Sequence, residues 1–164
     1  LAIAYTIFSS PLGEVLLAAT PQGICKVSIG TGASRLEAEL RAEFGAAVIK
    51  RDDRKLRTYA KKIAGYLGGS HAALDLPLDI RATAFQRKVW NILKSIPHGA
   101  TRSYSDIARR AGMPTAVRAV ATAIASNPVA LLIPCHRAVR KNGDLAGYRW
   151  GVARKAALLA QESK

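Results

Sequence analysis

Short apolar runs punctuated by turn residues open the chain and read as a β-meander. Ile3–Phe8, Glu14–Ala19 and Ile24–Ile29 are the expected strands. Ser-Ser-Pro-Leu-Gly (9–13) and Thr-Pro-Gln-Gly (20–23) separate them, with Pro and Gly where tight turns favour them. The period then changes. Leu36 and Leu40 stand four apart in an expected helix Ala33–Phe44. A second helix, Asp52–Leu67, carries Leu56, Tyr59, Ala60, Ile63 and Leu67 at helical spacing, and Gly68-Gly69-Ser70 stops it. Leu74–Ile80 reads as extended, and Pro77 makes it an edge or a linker.

The second half is mostly helical. Thr83-Ala84-Phe85-Gln86 is a capping box, followed by Phe85, Val89, Ile92, Leu93 and Ile96 until Pro97-His98-Gly99. Ser103 or Ser105 caps a short helix Asp106–Ala111, closed by Gly112. Met113-Pro114 turns the chain, with Pro114 placed to open a helix over Thr115–Ser126. Asn127-Pro128 breaks it, Val129–Ile133 is strand-like, and a final helix spans Val152–Glu162. The expected division is a domain at 1–80 and a second at 81–164.

Charge sharpens that division. Of 164 residues, 25 are Lys or Arg and 11 are Asp or Glu, a formal charge of +14. Residues 1–80 hold 10 basic and 8 acidic side chains, whereas residues 81–164 hold 15 and 3. Such asymmetry points to a polyanion, either nucleic acid or an anionic membrane, against the plainer reading of a solvated basic surface. No apolar run approaches the ~20 residues of a membrane helix. The N-terminus has no secretory signal pattern. Cys25 and Cys135 cannot build a disulfide framework, and His71, His98 and His136 lack metal-ligand spacing. A cytoplasmic protein without metal or cofactor is expected. The chain opens on Leu1 rather than Met, as a fragment or a trimmed form would.

Short helix, turn, second helix is the outline of a helix-turn-helix, although any compact helical hairpin gives it. The second helix, Thr-Ala-Val-Arg-Ala-Val-Ala-Thr-Ala-Ile-Ala-Ser, has one base-reading side chain, Arg118, beside an apolar stripe of Val117, Val120, Ala121 and Ile124. Small side chains elsewhere favour shape-based binding, with Arg118 as an inserted group.

Cys135 lies between Pro134 and His136-Arg137. A neighbouring imidazole and positive charge are expected to lower a thiol's pKa. In a strand, adjacent residues face opposite ways, so the pair can cooperate only across a turn or through water, and Pro134 favours a bend. A base needs an orienting partner. Asp106 suits its own helix start and Asp144 suits a Lys-Asn-Gly-Asp turn. Glu162 opposes the dipole at a helix C-terminus, which makes it the best candidate, with a frayed terminus as the plain alternative.

Ile133-Pro134-Cys135-His136-Arg137 resembles the signature of the O6-alkylguanine-DNA alkyltransferases. Phe-Gln-x-x-Val-Trp (85–90), Ser103-Tyr104, Arg118-Ala119-Val120, Asn127-Pro128, Gly147-Tyr148-Arg149-Trp150-Gly151 and Leu-Pro-Leu-Asp-Ile (76–80) fit the same family, so the likeness covers nearly the whole chain. Tyr-Arg-Trp-Gly is most like the C-terminal half of the family's bacterial adaptive-response (Ada) branch. On that likeness, either a zinc-bearing N-terminal half is missing or the chain is a stand-alone relative.

The resemblance implies an α/β N-terminal domain with a ribonuclease-H-like sheet and a mainly α C-terminal domain with a helix-turn-helix. It implies a monomer that binds duplex DNA through the minor groove, independently of sequence. The alkyl group of O6-alkylguanine, and of O4-alkylthymine, would pass irreversibly to Cys135, once per molecule. His136 would act as base through a water, oriented by Glu162, and Asn127 would support the turn. Tyr104 would help flip the nucleotide and Arg118 would fill the gap. Thr115, Ala116, Val117 and Ala119 would meet the DNA. Tyr148 and the backbone at Cys135, Ala138 and Arg149 would line the guanine pocket. Ala138 stands where many relatives carry Val, which implies a smaller pocket wall. Ala130, Ala121 and Ala146 also depart from common choices. Two rivals remain at this point: a DNA-binding regulator indifferent to Cys135, and a cysteine hydrolase with a Cys-His-Glu set.

Overall fold

A computed structural model describes residues 1–164. The chain divides into two compact units, Leu1–Ile80 with Pro128–Ala130, and Arg81–Asn127 with Leu131–Lys164.

The first unit is built on a four-stranded sheet in the order β3-β2-β1-β4. β1 (Ala2–Ser10), β2 (Gly13–Thr20) and β3 (Gly23–Gly30) are the expected antiparallel meander. Ile3, Tyr5, Ile7, Leu16, Ala18 and Cys25 pack with Leu36 and Leu40 of α1 (Ala33–Glu43). Cys25 is therefore a core residue, and burial pushes its thiol up to about 11.

Helix α2 (Arg57–Leu67) starts five residues later than expected, because Val48–Arg51 forms a strand, β4, parallel to β1. The next residues are spent on a turn. Asp52 Oδ1 accepts the Lys55 amide, and Asp53 accepts from Thr6 Oγ1 and Arg51 Nε. Side chains that bond their own backbone in this way compete with helix.

The outer edge of β3 is covered twice. Ile24 donates to the Pro77 carbonyl and accepts from the Asp79 amide, so Pro77 serves an edge position without needing its missing N–H. The approach is close: a Cβ on Gly23 would lie 2.8 Å from Leu78 carbonyl carbon and Pro77 oxygen. Val27 pairs with Val129 in the same manner. The run Val129–Ile133 is consequently not a strand. It makes one bridge and then turns at Leu131, whose φ of 72° ends any extended path.

The second unit begins with α3 (Ala84–Lys94), opened by the expected capping box: Thr83 Oγ1 accepts the Gln86 amide and Gln86 Oε1 accepts the Thr83 amide. It ends before Pro97, at Ser95. α4 (Tyr104–Arg110) starts two residues before Asp106, since Ser103 is the cap and its Oγ accepts the Asp106 amide. Pro114 lies in the connecting turn rather than opening α5 (Val117–Ala125), which has no side-chain cap. Trp90 Nε1 donates to the Ala123 carbonyl at 2.8 Å and holds α3 to the end of α5. Cys135–Arg137 form one 3₁₀ turn. Two-residue strands β5 (Arg102–Ser103) and β6 (Ala138–Val139) pair in parallel, too short to read from sequence. α6 (Val152–Glu162) keeps its expected bounds. No helix is long and apolar enough to cross a membrane.

Candidate active site

Cys135 sits just after Pro134 and is only 4% exposed. The 3₁₀ turn answers the requirement that adjacency alone could not meet: it bends the backbone so that Cys135 and His136 need not face opposite ways. Asn127, wholly buried at the end of α5, holds this turn with one amide. Its Nδ2 donates to the Ile133 carbonyl at 2.8 Å and to Cys135 Sγ at 3.2 Å.

The thiol does not have the lowered pKa expected from its neighbours. Burial raises it to about 11, against the opposing effects of the Asn127 hydrogen bond and the Lys155 and Arg149 charges. Desolvation of a thiolate outweighs these contacts, so Cys135 rests as a neutral thiol.

His136 is fully buried, and its Nε2 lies 2.8 Å from Glu162 Oε2. Burial, helped by the Arg137 and Lys155 charges, lowers its pKa more than the Glu162 carboxylate raises it. The imidazole is therefore neutral at pH 7. Facing a carboxylate, Nε2 carries the proton, which leaves the lone pair on Nδ1. No protein group bonds Nδ1.

Arg137 grips Glu162 from both sides. Arg137 Nε meets Oε1 at 2.9 Å and Nη2 meets Oε2 at 3.0 Å, while Nη1 donates to the Ile96 carbonyl at 2.7 Å. A planar guanidinium satisfies both carboxylate oxygens at once. Glu162 is thus no frayed terminus. Arg137 is a site residue that the sequence reading passed over as part of a motif.

Lys155 is the other omission. It has no exposed surface. Its Nζ is 3.5 Å from the Gly147 carbonyl and 5.7 Å from the centre of the Tyr104 ring. Burial lowers its pKa and the nearby Cys135 raises it. The sequence did carry a signal: Lys155, Leu158 and Glu162 share the buried stripe of α6, an unusual place for a lysine.

A cavity of about 760 Å³ opens onto Cys135. Tyr104, Val117, Arg118, Tyr148 and Arg149 line it, as does Arg140. Ala121, Ala125, Ala146 and Gly147 leave its walls thin. Tyr148 stands edge-on to His136 and to Trp150, at 6.5 and 5.3 Å between ring centres. Its buried hydroxyl has no partner, and burial holds its pKa well above the ordinary value. Arg149 Nη1 reaches the Asn127 carbonyl at 2.8 Å, tying the cavity wall to the residue that holds the thiol.

Other expected residues lie elsewhere. Ala138 is fully buried in β6, paired with Arg102, and its side chain is not among those lining this cavity. Thr115 and Ala119 are exposed and Ala116 half-buried at the start of α5, away from the cavity lining. Ala130 lies in the segment against β3. No group of three His, Cys, Asp or Glu side chains is placed to hold a metal ion.

Residues 3–80 match the ribonuclease-like domain, and residues 84–164 the DNA binding domain, of 6-O-methylguanine DNA methyltransferase. A methylated-DNA--protein-cysteine methyltransferase from Methanosarcina acetivorans is 37% identical over 162 residues, covering 96% of this chain and 97% of that one. The chain belongs to the 6-O-methylguanine DNA methyltransferase family. The crystal structure of the Mycobacterium tuberculosis O6-methylguanine methyltransferase is similar throughout, with a TM-score of 0.80 at 32% identity over 98% of this chain and 93% of that one. The same organism's OGT in complex with DNA gives the same TM-score and identity. The bifunctional transcriptional activator/DNA repair enzyme Ada of Escherichia coli is 44% identical over all of this chain, which spans 46% of that protein's length. Family membership gives the meander of the first unit its name, a ribonuclease-like domain.

Proposed function

We propose that this chain repairs DNA directly, taking the alkyl group of O6-alkylguanine, and of O4-alkylthymine, onto Cys135. The observation that carries the reading is a buried neutral thiol, lining a cavity and backed by a neutral imidazole with one unengaged nitrogen. The Cys135 proton passes through a water to His136 Nδ1. Sulfur attacks the alkyl carbon as the carbon–oxygen bond breaks, and the electron pair leaves with guanine O6. The base then takes up a proton. Glu162 stabilises the imidazolium that forms, as a carboxylate does behind any catalytic histidine. The product is a thioether, which no side chain here can hydrolyse, so each molecule acts once.

A high resting pKa suits a protein used once. A free thiolate would react with any electrophile that reached it, whereas a thiol activated only beside its base spares itself for a bound lesion. Lys155 adds positive potential behind Tyr104 and Gly147 as negative charge develops on sulfur and base. The Tyr148 hydroxyl, buried and without a partner, would donate to a base that reaches it.

The lesion lies within a duplex and must be flipped out to reach Cys135. In this reading α4, the turn and α5 act as a helix-turn-helix laid in the minor groove. The small residues Thr115, Ala116 and Ala119 let the α5 backbone come close, and Arg118 is exposed beside the cavity. Such binding reads shape rather than sequence, as repair of lesions anywhere requires. The site of action is the DNA of the cytoplasm, with the protein as a monomer and no cofactor in the transfer.

Stoichiometry tests the activity. With O6-methylguanine duplex in excess, the amount of guanine restored should stop at one per protein. Continued turnover would overturn the reading in favour of a hydrolase. Arg118→Ala tests the flipping role: it should slow transfer from duplex at least tenfold and leave reaction with free O6-methylguanine base unchanged. Equal loss on both substrates would remove Arg118 from that role.

A further inference from the structure

Residues 1–80 are nearly balanced in charge, but the charges are not mixed. Seven of the ten basic residues fall between Lys50 and Lys62, accompanied only by Asp52 and Asp53. The rest of this unit is net acidic. Both aspartates are occupied. Asp52 caps the Lys55 amide, and Asp53 binds Thr6 and Arg51. Arg51 is thereby paired and also donates to the Ile7 carbonyl. The other six, Lys50, Arg54, Lys55, Arg57, Lys61 and Lys62, are exposed and have no acidic partner.

Helix α2 is built at odds with its own stability. Arg57 occupies the first turn, where the helix dipole is already positive, and no acidic residue accompanies it there. Arg57 and Lys61 are one turn apart and repel. A helix that served only to cover the sheet would be more stable with Asp or Glu at these places. Its apolar residues Ile63, Tyr66 and Leu67 are buried, so the cations ride the outer face on a fixed backbone.

We propose that the β4–α2 face of the first unit is a second contact site for the phosphate backbone of duplex DNA, apart from the helical unit that carries Cys135. The proposal rests on the reading that this chain acts on duplex DNA. A duplex offers a charge about every 1.7 Å of its axis and needs no apolar contact from the protein. An anionic membrane is the poorer match. Amphipathic helices bind membranes by inserting an apolar face, and that face of α2 is already covered. The only large exposed apolar side chains in this unit are Leu1 and Val48, too few to insert. The face therefore adds affinity without sequence preference, as lesion search requires.

The test compares the intact chain with its Lys55→Gln/Lys61→Gln/Lys62→Gln variant. Four measurements are made on each: binding to an unmodified duplex across a salt series, binding to phosphatidylserine vesicles, methyl transfer from free O6-methylguanine base, and thermal melting. Each lost phosphate contact removes about 0.9 from the slope of log affinity against log salt, so the slope should fall by about 2 to 3. Affinity at low salt should drop at least tenfold. Transfer from the free base should be unchanged, and the melting temperature unchanged or higher as repulsion is relieved. An unchanged slope with intact transfer would overturn the second site alone. Loss of binding to phosphatidylserine vesicles with an unchanged DNA slope would overturn it in favour of a membrane. If the unaltered chain transfers no methyl group, either from the free base or from a duplex bearing O6-methylguanine, it is the repair reading that fails.

Discussion

Cys135→Ser is expected to leave a folded protein that still binds DNA and restores no guanine. The hydroxyl is smaller than the thiol and keeps a hydrogen bond from Asn127 Nδ2, so stability should change by no more than about 1 kcal/mol. Chemistry is another matter. The thiol already needs its base, since burial lifts it to about 11. A serine hydroxyl is far less acidic than a thiol and the oxygen is a poorer nucleophile toward saturated carbon. Anisotropy with a lesion-bearing duplex and analysis of the restored base report binding and transfer separately. Transfer at an undiminished rate would mean the acceptor lies elsewhere. Cys25, the other cysteine, lies in the core of the first unit and is poorly placed to substitute.

Arg137→Leu is expected to damage both stability and pH behaviour. The substitution removes the guanidinium that meets both oxygens of the buried Glu162 carboxylate, beside His136. Breaking a buried ion pair from one side typically costs about 3–5 kcal/mol. The electrostatic sign follows from the charges around His136. Burial lowers its pKa, Glu162 raises it and Arg137 lowers it again. Removing Arg137 therefore raises it. In the native protein His136 stays neutral down through its ordinary value near 6.5, so transfer should be flat at neutral pH and fall only in acid. In the variant the acid limb moves up toward neutrality, because a protonated imidazole cannot accept the Cys135 proton. Stability follows the same group. A histidine buried neutral binds fewer protons than in the unfolded chain, so it costs the native protein stability as pH falls below about 6.5. That loss should be smaller once Arg137 is gone. Arg137→Lys should recover part of the stability and most of the pH profile. A variant with native pH dependence would show that Arg137 only fills space.

Much of the fold was legible because the signals were local. The Thr83–Gln86 capping box, the glycine-punctuated turns and the Leu36–Leu40 spacing each needed only a few neighbouring residues. The misses share a different cause. β4 is four residues long and exists because β1 offers an edge, which no local pattern reveals. Val129–Ile133 is apolar enough for a strand, yet it is buried by two different neighbours and turns at Leu131 between them. Pro114 was a reasonable helix opener, but the turn used it first.

The site shows the same division. Cys135, His136 and Glu162 were readable as chemical types, and the unfavourable place of Glu162 on its helix was a true clue. The sign of the thiol shift was not readable, because adjacency suggests stabilising charges while only the folded chain shows how much water is lost. Arg137 hid inside a recognised motif. Lys155 was visible as a lysine in the buried stripe of α6, a signal that needed only a helical wheel.

Mass spectrometry of the protein after incubation with duplex DNA bearing O6-methylguanine tests the central claim most directly. The account predicts the mass of one added methyl group, saturating at one per protein, with peptide mapping placing it on Cys135. DNA binding with no methyl on Cys135 would contradict it, and would leave a chain that recognises DNA by the same fold without the repair chemistry.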